Sequence, residues 1–383
     1  MSTIATRLSA ELRGDRSIWA IIILLALFSL LAVYSSTGTL AYRNMGGNTE
    51  AFLLRHGMHL AVGLVLTYLC HLLGYMSYSR SAPVLLLISV PLLIYTLVFG
   101  VDVNDARRWI ELPFVGITFQ TSDFAKIALV IYVARAISSK QEYIKDFNSA
   151  FLPIIVPILI ICGLIAPADL STAILLFLTC MMMMFVGRVA LQYIFLLLLL
   201  GMVVFSMLVL LGEAFPEMIR LDTWIARVQE FVNEPDGGYQ IQQAKIAIAN
   251  GEWFGLGPGN SIQRNFLPSP YSDFIYAIIC EEYGIMGGVV IISLYLLLFF
   301  RVTRLVTRSS KAFGAMLALG LTLMLTIQAF CNIAVSVDLI PVTGLTLPML
   351  SMGGTSVLFT CIAFGIILSI SKYIESIHRV GDD

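Results

Sequence analysis

The chain has 383 residues, of which 58% are hydrophobic and only 12% charged, with a formal net charge of −1. A soluble domain carries about 25% charged residues and a disordered one combines low hydrophobicity with high charge, so a mean hydropathy of +0.90 excludes both and makes lipid the solvent. The near-zero charge lacks the basic excess of a nucleic-acid-binding surface, and no nucleic-acid partner is expected.

Spanning a bilayer takes about 20 apolar residues per helix. Runs of that kind occupy residues 18–36, 58–76, 82–100, 122–138, 151–166, 170–187, 191–211, 274–300, 313–335 and 355–373. The sequence therefore predicts an all-α, polytopic integral membrane protein with about ten transmembrane helices, one domain over residues 1–383. The first run is long enough to span and has no small-residue cleavage site, so it reads as a helix and not as a cleavable signal. The fifth run is short and carries Pro153, Pro157 and Pro167, which predicts a broken or re-entrant segment.

An even number of spans puts both termini on one side. With the N-terminus inside, fourteen lysines and arginines fall in inner segments, against Arg43, Arg55, Arg107 and Arg108 in the short outer loops. That asymmetry sets the orientation. Residues 212–273 then form one large extracytoplasmic loop. Within it, Ile241, Ala244 and Ile248 share one face of a short helix that Gly251 would stop. Cys70, Cys162, Cys180, Cys280, Cys331 and Cys361 each lie in an apolar run without a C-x-x-C pair, so they read as small buried residues rather than zinc ligands or disulfides.

Ionisable groups inside spans cost about 2.5–3.5 kcal/mol each on insertion scales and are functional suspects. Here they are Lys126, Asp169, Glu281 and Glu282; ion pairs that fix helix packing are the alternative for each. Arg107-Arg108-Trp109-Ile110 is either an aromatic-belt anchor or an anion clamp, since arginine grips phosphate in a fork. Gly255-Leu256-Gly257-Pro258-Gly259-Asn260 has no lysine–hydroxyl pair and reads as a tight turn before a phosphate loop. Gly353-Gly354-Thr355 opens the last helix, where free N–H groups favour an anion. His56 and His59 read as interfacial residues. Asp273 stands where a polar loop enters an apolar helix. Partial burial raises a carboxylate's pKa and suits it to general-base work; capping the next helix is an equal alternative.

Several blocks in order carry a resemblance. Arg107-Arg108-Trp109-Ile110 with Phe119-Gln120-Thr121-Ser122-Asp123-Phe124-Ala125-Lys126, then Pro167-Ala168-Asp169-Leu170, then the stretch from Gly238-Tyr239-Gln240 through Leu267-Pro268, Asp273-Phe274-Ile275 and Glu281-Glu282-Tyr283-Gly284 are similar to the SEDS family. SEDS (shape, elongation, division and sporulation) proteins are bacterial glycosyltransferases that polymerise lipid II, the lipid-linked disaccharide of peptidoglycan. Gly257-Pro258-Gly259-Asn260-Ser261-Ile262-Gln263 and Thr343-Gly344-Leu345-Thr346-Leu347-Pro348 resemble its division branch more than its elongation branch. The chain departs from the family pattern at Ser269, Tyr271 and Ser272, which stand in place of a Glu-x-His-Thr segment. Thr121, Asp123 and Met352 replace a proline, a glutamate and a tyrosine, and Thr343 a frequent lysine.

The resemblance implies Asp273 as the catalytic residue. It implies Arg107, Arg108 and Lys126 as cations for the departing pyrophosphate, with a divalent cation, magnesium or manganese, as a possible cofactor. Gln120, Asp123, Asp169, Asn260, Ser261, Gln263, Ser272 and Glu281 become further candidate substrate contacts. The implied partners are a class B penicillin-binding protein (the septal transpeptidase), other division proteins and membrane lipids. The implied location is the bacterial cytoplasmic membrane at the septum, with both termini cytoplasmic. An elongation polymerase and a lipid II flippase are the alternatives; a flippase would spread charge along the whole transmembrane path, whereas here it gathers at the outer end. A scaffold, the third reading, would tolerate Asp273→Asn.

Overall fold

The computed structural model describes residues 14–38, 49–103, 106–111, 118–214, 220–233, 237–309 and 311–381. The described residues hold twelve α-helices: α1 (Arg16–Ser36), α2 (Thr49–Leu72), α3 (Tyr75–Phe99), α4 (Thr121–Ser139), α5 (Leu152–Ile165), α6 (Leu170–Val186), α7 (Leu191–Ala214), α8 (Leu221–Asn233), α9 (Tyr239–Gly251), α10 (Ile275–Val306), α11 (Ala312–Ser336) and α12 (Thr355–Gly381). Eight segments are long and apolar enough to cross a membrane. The other two rods of the expected ten are α6, apolar but only 17 residues long, and α4, whose 19 residues include Asp123, Lys126 and Arg135. The chain is a multi-pass membrane protein.

Burial separates the rods into a centre and a periphery. The apolar windows of α11 and α12 are 83% and 72% buried, whereas that of α7 is 6% buried and stands at the periphery. Lipid tails are as apolar as leucine, so close backbone approach rather than hydrophobicity joins the central helices. Gly320 of α11 shows it: a Cβ there would stand 2.6 Å from Met183 of α6 and 3.0 Å from Val130 of α4.

The proline-rich fifth run is not broken. A π-helical turn, Phe147–Phe151, leads straight into α5, with Pro153 in its first turn and Pro157 inside it. Proline at 157 removes the donor for the carbonyl four residues back, and the Tyr132 hydroxyl donates to that Pro153 carbonyl at 3.2 Å. In the same way Pro83 frees the Ser79 carbonyl, and Arg135 donates to it at 2.6 Å. Neighbouring side chains thus repair both gaps, as helices in lipid require.

Three departures from the sequence reading bear on the site. First, the all-α expectation omits a small antiparallel sheet, β1 (Val101–Val103), β2 (Ala106–Glu111) and β3 (Thr118–Gln120), in the order 1-2-3. It caps the bundle between α3 and α4 and carries the tandem arginines. Second, His56 is not interfacial: it is buried, with Nε2 2.8 Å from the Ser29 hydroxyl. Third, the described parts of the long segment between α7 and α10 are built rather than loose. Ile241, Ala244 and Ala247 bury one face of α9, which ends at Gly251 as expected. Trp224 of α8 stacks on Phe205 of α7 at 6.1 Å, while Ile225, Val228 and Val232 stay exposed.

Candidate functional site

Asp273 lies just ahead of α10 at the bundle end that carries the sheet. The helix N-cap position is Phe274, and no side chain caps it. The capping alternative for Asp273 therefore fails: its Oδ1 accepts instead from the Ser272 hydroxyl at 2.9 Å. Burial pushes the Asp273 carboxyl above its ordinary value. The Ser272 hydroxyl, Arg227 and Arg108 pull it down, and Asp169 pushes it further up. These groups thus stand within electrostatic reach of one another, although they come from the sheet, α8, the start of α6 and the approach to α10.

Arg108 is held rigidly. Its Nε donates to the Ala168 carbonyl at 2.8 Å and its Nη1 lies 3.1 Å from Asp169 Oδ2. Asp169 uses its other oxygen to cap α6, accepting from the Thr172 amide at 3.1 Å. With two of five donors engaged, the guanidinium is oriented and still has N–H groups to offer. Arg108 and Asp169 line a small cleft whose walls are Leu93, Leu97, Leu164 and Ile165, with Thr96, Thr121 and Ser122 adding hydroxyls. A cation at the head of an apolar cleft suits an anionic group on a hydrocarbon tail. Arg107 lies in β2 opposite Asp102; its side chain is outside the described residues.

Lys126 is not on that cleft. It is buried in α4, with Nζ 2.7 Å from Asp123 Oδ1, one turn back on the same helix. Gln120 ends β3, donates to the Ser122 hydroxyl at 3.0 Å, and donates its amide to Thr355 at the start of α12 at 3.4 Å.

Glu281, Ser261 and Gln263 form a separate cluster. The fully buried Glu281 carboxylate accepts from the Ser261 hydroxyl and from the amides of Ile262 at 3.2 Å and Gln263 at 3.2 Å. Next to it the Glu282 carboxylate accepts from the Ser35 hydroxyl, and Arg264 donates to the Ser35 carbonyl at 3.0 Å. A break in α10 at Gly284, φ 70°, completes the attachment. The amides of Ile285 and Met286 leave the helix and donate to Glu252 and Trp253, while the carbonyls of Glu281 and Glu282 accept from Leu256 and Gly257. The glycine-rich turn is stitched into the helix, so these amides are not an anion cradle. A Cβ at position 284 would meet the Trp253 carbonyl at 2.3 Å. Asn260 is exposed and donates to the Leu256 carbonyl at 3.0 Å.

Three residues without a sequence-level role join the site. Arg227 reaches it from the inward face of α8; burial and the nearby Arg108 and Arg220 weaken its hold on its proton, and Asp169 and Asp273 strengthen it. Asn332 and Ser351 grip the backbone beside Asp273. Among the described residues no three His, Cys, Asp or Glu side chains converge as a metal site. Asp169 and Asp273 are the carboxylates facing this group of arginines.

Fold and site together define a multi-pass membrane protein with a half-buried carboxylate and two arginines gathered at one end of its bundle. The model of the FtsW/RodA/SpoVE family, described as cell cycle protein, matches residues 15–376. The chain belongs to this family, the SEDS proteins. It is 34% identical over 377 residues to a probable peptidoglycan glycosyltransferase FtsW of Trichlorobacter lovleyi, covering 96% of each. It is 34% identical over 330 residues to another of that name from Nitrosococcus halophilus, covering 85% of this chain and 84% of that one. Its fold matches a chain from a peptidoglycan synthase complex that coordinates polymerization and crosslinking. There the TM-score is 0.70 and the identity 24%, over 94% of this chain and 98% of that one.

Proposed function

We propose that this chain is a peptidoglycan glycosyltransferase that polymerises lipid II into glycan strands during septal wall synthesis, a reading supported by the relatives named probable peptidoglycan glycosyltransferase FtsW. The observation that carries the reading is the Asp273 carboxylate: half-buried, free of any capping duty, with Arg108 and Arg227 in electrostatic reach. In the proposed step an acceptor sugar hydroxyl attacks the anomeric carbon of the donor. The new C–O bond forms as the anomeric bond to the lipid pyrophosphate breaks, the hydroxyl proton passes to Asp273, and the bonding pair leaves with the pyrophosphate. Charge grows on that leaving group, and pre-oriented guanidinium donors stabilise it. Arg108 stands beside the apolar side chains of Leu93, Leu97, Leu164 and Ile165, which suits the junction between a pyrophosphate and its lipid. A divalent cation, if bound, would be held mainly by substrate phosphates, because Asp169 is taken up by Arg108 and the Thr172 amide and Asp273 must stay free for the proton; it would offset charge on the pyrophosphate.

The reading includes a class B penicillin-binding protein as partner, supported by the fold shared with a synthase-complex chain. The division role over the elongation role is supported by the relatives named FtsW. The test is direct. Purified with its transpeptidase and given lipid II, the protein should yield glycan strands; transbilayer movement of the lipid without any strand formation would make it a flippase instead.

The site end is proposed to be extracytoplasmic and both termini cytoplasmic, supported by the positive-inside bias. Single cysteines at Asn233 and Lys311 should then label from outside and from inside, respectively, with an impermeant reagent on intact cells. Labelling of both from one face would overturn this orientation of α10.

A further inference from the structure

Three consecutive carbonyls lead into the site, and each is held by a different donor. The Tyr271 carbonyl accepts from the Met352 amide at 2.9 Å. The Ser272 carbonyl accepts from the Ser351 hydroxyl at 2.6 Å. The Asp273 carbonyl accepts from Asn332 Nδ2 at 2.8 Å. All three donors come from α11 and the turn before α12, far along the chain from position 273. The donors are themselves fixed: Asn332 Nδ2 also donates to the Leu345 carbonyl at 2.7 Å, and the Ser351 hydroxyl accepts from the Leu347 amide at 2.8 Å. Asn332 and Ser351 are both buried to about 1% exposure, in a chain where polar side chains inside a membrane bundle are costly. The Leu345–Ser351 turn also brings Gly344 alongside Asp273, where a Cβ would stand 3.9 Å from Oδ2.

Without these bonds the segment Tyr271–Asp273 has little to hold it. It lies outside any helix, Ser269 and Ser272 make one turn of it, and Pro268 and Pro270 forgo two amides. A carboxylate reached through an unrestrained loop would wander by the ångström that matters in proton transfer.

We infer that Asn332 and Ser351 are positioning residues, a cradle that fixes the backbone of Tyr271–Asp273 and thereby aims the Asp273 carboxylate at the acceptor hydroxyl. The inference rests on the reading of Asp273 as the base. It gives the apolar-looking α11–α12 segment a share in the chemistry without contact to substrate.

The test uses the full-length protein with its transpeptidase, supplied with lipid II. Misplacement of about 1 Å can cost ~10²-fold, so Asn332→Ala and Ser351→Ala should each lower kcat by roughly 10- to 100-fold and leave KM for lipid II nearly unchanged. Their pH profiles should also move. Asp273 is faced by Arg227, Arg108, Asp169 and Tyr271, and its carboxyl is raised mainly by burial. Loosening the backbone lets water reach it, so the acid limb should shift toward lower pH. Ser351→Thr keeps the hydroxyl and should recover much of the rate. Activity lost only in proportion to folded protein, with the acid limb unmoved, would overturn the inference. So would wild-type kcat in both alanine variants while Asp273→Asn is inactive. An active Asp273→Asn would instead remove the base assignment itself, and the two failures are thereby distinguishable.

Discussion

Asp273→Asn should accumulate to the wild-type level, bind its transpeptidase, and make no glycan strands from lipid II. General-base assistance is typically worth 10²–10⁴-fold, roughly 3–5 kcal/mol in the barrier. Asparagine matches aspartate in size and can still accept the Ser272 hydroxyl through its amide oxygen, and no helix cap is lost because Asp273 caps nothing. The sign of the stability effect follows from the raised carboxyl. A group whose folded pKa lies above its unfolded value stabilises the fold below the unfolded pKa, and that contribution is lost as pH rises through the folded value. At neutral pH the wild-type protein therefore bears a desolvated charge, and asparagine relieves it. The variant should melt at the same temperature as wild type or slightly above it near pH 7, with the advantage gone at acidic pH. Activity runs the other way: the base must be ionised, so wild-type polymerisation should fall on the acid side at a pH above that of an unperturbed aspartate. Wild-type strand synthesis by Asp273→Asn would discard the assignment.

How much of this was readable in advance depends on what each residue contrasts with. Lipid as solvent makes an apolar run a strong signal, so the rods were legible, and α4 and α6 fell short only by their charges or their length. Asp273 stood out because it is the last charge before a long apolar helix. The sheet was illegible: its three strands are only 3 to 6 residues long, and nothing in so short a run separates a strand from a loop. Arg227 shares a 13-residue helix with Asp222 and Glu230, and only the docking of Trp224 on Phe205 decides which of them faces inward. Asn332 and Ser351 lie 59 and 79 residues from the carbonyls they hold, so no local pattern could pair them. The glutamates at 281 and 282 were conspicuous as buried charge, yet Glu281 bonds to the Ser261–Gln263 loop and Glu282 to Ser35 at the end of α1. Buried charge in a span marks a place where the fold needs polarity, and the need can be architectural.

Lys126 is where that distinction produces the second large effect, and the effect appears in folding before it appears in chemistry. Lys126 and Asp123 pair at 2.7 Å with side chains only 8% and 3% exposed, and the second Asp123 oxygen has no hydrogen-bond partner. Removing one member of a buried ion pair strands the other and typically costs about 3–5 kcal/mol, whereas replacing both by apolar groups is often neutral or stabilising. Lys126→Met should therefore lower the membrane level and the melting temperature of the protein sharply. The double variant Asp123→Leu/Lys126→Met should recover most of both. The recovered protein then answers the chemical question that the single variant obscures. If Lys126 also serves the pyrophosphate, as the family resemblance implies, the double variant will be stable and a poor polymerase. If it polymerises at the wild-type rate, the pair is packing, and the cationic work of the site falls to Arg108 and Arg227. A Lys126→Met protein as stable as wild type would show that Asp123 finds another partner or a proton, and would overturn the account of the pair as mutually dependent.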